Sequence, residues 1–118
     1  MMKKYHWKNR VLVVFSDSER VHSTRQREVI DSDAPGFAER DVVVLGLGGS
    51  GELYHDVNVD QPEVKGRYGV EDGFMVLLIG KDGTVKRVWR RPVTASEVFE
   101  LIDAMPMRRS EMRRKRGV

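Results

Sequence analysis

The sequence predicts an α/β fold: a mixed sheet of about four strands with helices on its faces, in the order β-α-β-α-β-β-α. Three observations predict it. Residues 11–15 (VLVVF), 41–45 (DVVVL) and 74–79 (FMVLLI) are short apolar runs, the pattern of strands buried on both faces. Helix-start chemistry follows the first run and precedes a well-patterned segment near the C-terminus. An Asp-Gly pair at 82–83 joins the third run to a fourth, which makes the last two strands an antiparallel hairpin.

Taken in order, Val11 to Phe15 is the first strand. Asp17, Ser18 and Glu19 supply a capping oxygen and acids for a helix over roughly Arg20 to Ser32. Its apolar face is thin, with Val29 and Ile30 beside Gln26 and Asp33. Pro35 and Gly36 read as breakers that end it. Asp41 to Leu45 is the second strand, parallel to the first through a right-handed crossover. A glycine-rich loop follows, then a short helix started by Pro62 and ended near Gly69. After the third strand, Thr84 to Arg90 mixes Val85, Val88 and Trp89 with Lys86, Arg87 and Arg90, which suits a partly exposed edge strand. That edge is also where a homodimer would pair. The last helix is the best specified. Thr94 and Glu97 form a capping box, Val93 and Val98 a hydrophobic staple, and Val98, Phe99, Ile102 and Met105 one apolar face, with Pro106 as the stop.

The chain has 118 residues, enough for one core, and 40 % of them are hydrophobic. The reading is a single domain over residues 1–107 with a basic C-terminal tail over 108–118. The tail carries a charge of +5 and the rest −2, so the basicity belongs to the tail. Such a tail attracts nucleic acid, other polyanions or acidic lipid through Arg108, Arg109, Arg113, Arg114, Lys115 and Arg116; the simpler reading is a frayed, solvated terminus. It has no interleaved aromatic residues, so nucleic-acid binding through it would be non-specific and salt-sensitive. No segment reaches the roughly 18 apolar residues of a membrane helix. The opening MMKKYHWKNR is not a signal peptide as it stands, and a secreted or periplasmic location would require a leader trimmed from before it.

These residues contain no cysteine, which excludes disulfides, thiol catalysis and thiolate metal sites. GLGGSG at 46–51 matches the letters of a dinucleotide fingerprint, but no good helix follows it, so no cofactor is expected. His55 with Asp56 and Asp60 reads as a polar loop before a metal site. The turn after the first strand is the candidate ligand site: Asp17, Ser18, Arg20, Arg25 and Gln26 stand where strand ends and helix amides meet. Helix capping with solvated charges explains the same residues.

The stretch GFMVLLIGKDGTVKRVWRRPVTASEVFELIDAMPMRRSEMRRK, residues 73–115, resembles the end of the P-DUDES domain repeated in equarin and coiled-coil-domain-containing protein 80. ERDVVVL, GRYGV and VLVVFSDS with Gln26 are similar to its earlier segments, and LIDAMPMRR resembles the ending of an uncharacterised bacterial single-domain family. The resemblance implies a thioredoxin-like three-layer sandwich related to peroxiredoxins. Its animal relatives are secreted matrix proteins that bind other matrix components. Thioredoxins place cysteines near the positions of Arg20 to Ser23 and a cis-proline before the third strand; here Gly73 and Phe74 stand at the latter. Disulfide exchange needs a thiolate. The expected function is therefore a non-redox binding or adaptor domain for a protein or polyanionic partner. The alternatives are an enzyme or small-anion binder at the turn over 16–26, and non-specific nucleic-acid binding through the tail.

Overall fold

The computed structural model describes residues 6–15, 21–47 and 73–115. Within them the elements are β1 (Arg10–Phe15), α1 (Val21–Ser32), α2 (Ala34–Glu39), β2 (Val42–Leu47), β3 (Met75–Ile79), β4 (Val85–Trp89), α3 (Ala95–Asp103) and α4 (Pro106–Lys115). One mixed sheet runs in the order β2-β1-β3-β4. β1 pairs in parallel with β2, from Arg10 on Val42 to Phe15 on Leu47, and antiparallel with β3, from Val11 on Ile79 to Phe15 on Met75. β4 closes one side antiparallel to β3, with a register shift between Leu78 and Ile79.

The period-two alternation sorts the strands onto two faces. Leu12, Val14, Val42, Val44, Val76 and Leu78 share one core with Ile30 of α1, Phe37 of α2, and Val98 and Ile102 of α3. Val11, Val13, Phe15, Leu45, Met75, Leu77 and Ile79 form the other, to which no described helix contributes. All six residues of β1 and all five of β3 are buried, which is why both read as unbroken apolar runs. β4 differs: its first four residues are exposed and Trp89 alone is buried, as an edge strand requires. The second flanking layer of the expected sandwich, and the helix expected from Pro62, lie outside the described residues.

Two prolines act differently from the sequence expectation. α1 does end at Ser32, but Pro35 stands in the first turn of α2, which begins at Ala34 directly after Asp33. Proline lacks the N–H that a first helical turn leaves unpaired, so it starts a helix as readily as it stops one. Pro106 does the same for α4, so most of the expected solvated tail is helix. The glycine-rich loop also begins later than expected, because Gly46 and Leu47 continue β2.

The hairpin and α3 match their local chemistry. Gly83 takes φ +84, and Asp82 Oδ1 accepts from the Thr84 N–H and hydroxyl at 3.0 and 2.8 Å. The Glu97 N–H donates to Thr94 Oγ1 at 3.1 Å and the Thr94 N–H to Glu97 Oε1 at 3.4 Å, a complete capping box. Val93 and Val98 are buried together in the same core, as a staple places them.

Candidate functional site

Of the candidate turn over 16–26, residues 16–20 lie outside the described residues, and with them Asp17, Ser18 and Arg20. Its two flanks are described. Phe15 ends β1, and His22 in the first turn of α1 is exposed, its ring 5.3 Å from that of Phe74 just before β3. Gly73 at φ +105 precedes Phe74. The expected ligand donors Arg25 and Gln26 diverge. Arg25 is exposed and 4.0 Å from Glu28, a surface pair of little energy. Gln26 is fully buried: its Nε2 donates to the Val93 carbonyl at 3.0 Å, and its Oε1 accepts from the Val93 N–H at 2.7 Å. Both ends of the amide are thus used to tie α1 to the segment before α3. Gln26 is a structural tether, which corrects its reading as a free ligand donor.

The opposite end of the sheet holds an ionic cluster that the sequence did not announce. Arg10 is 1 % exposed, and its two terminal nitrogens donate to Glu111 Oε1 and Oε2 at 3.2 and 3.3 Å. Lys81 Nζ donates to Glu111 Oε2 at 2.7 Å and to Asp41 Oδ2 at 2.9 Å. Beside them, Arg40 grips Asp103 through two bonds of 3.0 Å and lies over the Phe99 ring at 4.1 Å. Arg108 is 2 % exposed; it donates to Asp103 Oδ1 at 3.2 Å and to the Glu39 carbonyl at 3.4 Å. Arg108 is therefore part of the domain, which corrects its placement in a solvated polyanion-binding tail. Burial would raise the Glu111 carboxyl, but the hydrogen bonds from Arg10 and Lys81 outweigh it and hold the group below its ordinary range. The hydrogen bond from Arg40 does the same for Asp103, with Arg108 adding to it against burial.

Three of the other tail candidates stay on the surface. Arg109, Arg113 and Arg114 are exposed on α4, and Lys115 ends the helix. Arg116 lies outside the described residues. Glu111, the one acid in a basic run, was the signal available in the sequence: its partners Arg10 and Lys81 lie 101 and 30 positions away. Among the described residues no group of three or more His, Asp or Glu stands close enough to hold a metal ion, and His55, Asp56 and Asp60 lie outside them.

A family model described as a domain of unknown function, DUF4174, matches residues 1–111. The chain belongs to the DUF4174 family. It is 26 % identical over 133 residues to coiled-coil domain-containing protein 80 of Danio rerio, an alignment spanning 94 % of this chain and 15 % of that protein. The chain thus spans a small fraction of that relative's length. Among solved structures, this DUF4174 domain is similar to Plasmodium yoelii Prx1a, with TM-score 0.64 and 22 % identity over 99 % of this chain and 82 % of that one. It is also similar to Plasmodium vivax 2-Cys peroxiredoxin, with TM-score 0.62 and 18 % identity over 98 % and 72 %. The exposed lipoprotein thioredoxin Etrx1 of Streptococcus pneumoniae gives TM-score 0.55 and 14 % identity over 88 % and 90 %. The DUF4174 fold is therefore thioredoxin-like, as the sequence resemblance implied. Among the described residues no helix is long and apolar enough to cross a membrane.

Proposed function

We propose that this DUF4174 chain is a non-redox binding domain that engages a protein or polyanionic partner. One observation carries the reading: a thioredoxin-like sheet and its first helix are kept while the 118 residues contain no thiol. Neither disulfide exchange nor thiol peroxidase chemistry proceeds without a thiolate. The docked α4 supports a polyanion as the partner. Arg109 and Arg113 are one helical turn apart on its exposed side, with Arg114 adjacent, and Arg108 and Glu111 fix the helix beneath them. A cationic row on an ordered helix loses less freedom on binding than a frayed tail does.

Heparin affinity chromatography tests the polyanion assignment. The wild-type chain should be retained and elute with salt, and the triple variant R109A/R113A/R114A should elute at clearly lower salt. Equal elution of the two would remove α4 from the interface. A disulfide-reductase assay with measurable turnover would refute the non-redox reading as a whole.

A further inference from the structure

A cavity of about 370 Å³ opens at the end of the sheet where β1 begins, about 17 Å along that strand from the turn after Phe15. Its walls combine two chemistries. Trp7, Met105 and Met107 are apolar, with Trp7 60 % and Met107 40 % exposed; Arg10, Lys81 and Lys86 are cationic. Concave sites of this size, mostly apolar with a few fixed polar groups, are where small molecules bind.

The donors in this cavity are not all used. An ammonium offers three N–H bonds. Lys81 spends two, on Asp41 and Glu111, and Lys86 spends one, on Asp82 at 2.9 Å. Asp82 is the acid in the lining, and its oxygens already accept from Thr84 and Lys86. Behind the wall, Arg10 keeps a buried Nε without a hydrogen-bond partner, the one such side-chain atom among the described residues. The three cations are matched by Glu111, Asp41 and Asp82, so it is the spare N–H groups of Lys81 and Lys86, and not an excess of charge, that offer a place for an anion.

The apolar wall is held in place at a cost. Trp7 takes φ +67, a conformation a bulky side chain adopts only when its surroundings impose it. Its N–H donates to the Lys81 carbonyl at 2.6 Å, and the His6 ring stacks on it with centroids 4.7 Å apart. Lys86 is placed as deliberately: its stem lies over Gly80, where a Cβ would stand 2.6 Å from Lys86 Cε.

We propose that this cavity binds a small amphipathic carboxylate, its head on the spare donors of Lys81 and Lys86 and its apolar body against Trp7, Met105 and Met107. The site lies where β1 begins and includes the first residues of α4, Pro106 and Met107.

Octanoate is the probe, with octanol and octylamine as controls, followed by Trp7 fluorescence and by calorimetry. Octanoate should bind saturably and shift the emission, and Trp7→Phe should abolish that shift. Octanol and octylamine should bind at least about tenfold more weakly, the factor expected for a lost charge-assisted hydrogen bond. Lys86→Met should weaken octanoate by a similar factor while leaving octanol unchanged. Gly80→Ala should weaken it too, by displacing Lys86 without removing its charge. Among the described residues Lys86 pairs at the surface with Asp82 alone, so the first variant leaves the fold intact. Equal affinity for octanoate, octanol and octylamine, or no saturable binding below about 10 mM, a free energy too small for a built site, overturns the proposal.

Discussion

Arg10 and Glu111 stand 101 positions apart and meet as a two-bonded guanidinium–carboxylate pair, with side-chain exposures of 1 % and 12 %. The first residue of the central strand is thereby fastened to the middle of the last helix. Removing Glu111 leaves both Arg10 and Lys81 buried with less compensation. Breaking one side of such a pair costs about 3–5 kcal/mol. Glu111→Ala should therefore lower stability by that order in urea denaturation, whereas Arg113→Ala, on the exposed side of the same helix, should change it by less than about 0.5 kcal/mol. An equal, small effect of both would mean that α4 is not held to the sheet in solution.

The same pairs set an acid limit. Glu111 and Asp103 have folded pKa values below their ordinary ones, so the unfolded chain binds protons first as pH falls. Their stabilisation is complete above the unfolded pKa, near 4, and is lost as pH drops through the folded values. The urea midpoint should fall between pH 6 and pH 3, and Glu111→Gln should flatten that dependence relative to wild type. Asp82 is held at about 2 by Lys86 and Thr84, so its share also begins to fall below the unfolded pKa and is fully lost only near pH 2, below the series. A midpoint independent of pH over this range would contradict the pairing.

Gln26 makes a prediction of a different kind. Gln26→Ala leaves the buried Val93 N–H and carbonyl without the partner they share, at about 1–3 kcal/mol for each unsatisfied group. Were Gln26 a ligand donor, the same change would reduce binding and spare stability. Thermal denaturation of the variant separates the two roles.

At Gly36 two effects compete. Alanine is favoured over glycine in a helix by about 1 kcal/mol. A Cβ at Gly36 would lie 2.7 Å from Phe99 Cζ, and that ring is packed edge-on against Phe37 and covered by Arg40. Overpacking costs about 1–3 kcal/mol, so the clash should win. Gly36→Ala should destabilise the chain, and Gly36→Ala with Phe99→Leu should recover part of the loss.

Thr94→Ala removes the cap of α3 and should cost about 1 kcal/mol in urea denaturation. This effect was legible in the sequence, because both members of the box lie within four residues. The edge character of β4 was legible for the same reason: its cations sit among its own apolar residues. Pro35 and Pro106 were half-legible. Local chemistry marks a helix boundary at each, and whether the chain stops or restarts depends on Phe37 finding a place in the core and Arg108 a place beside Asp103.

The sequence alone determined the strands, the hairpin, the capped helix and the exclusion of thiol chemistry, because each rests on neighbouring residues or on composition. Tertiary structure alone decided the fate of the polar side chains. Gln26 became a tether, Arg108 and Glu111 became buried partners, and Lys81 and Lys86 came to border one cavity with Trp7. A charge buried far from its partner in sequence leaves no periodic trace, and its cost is settled only when the fold brings the opposite charge to it.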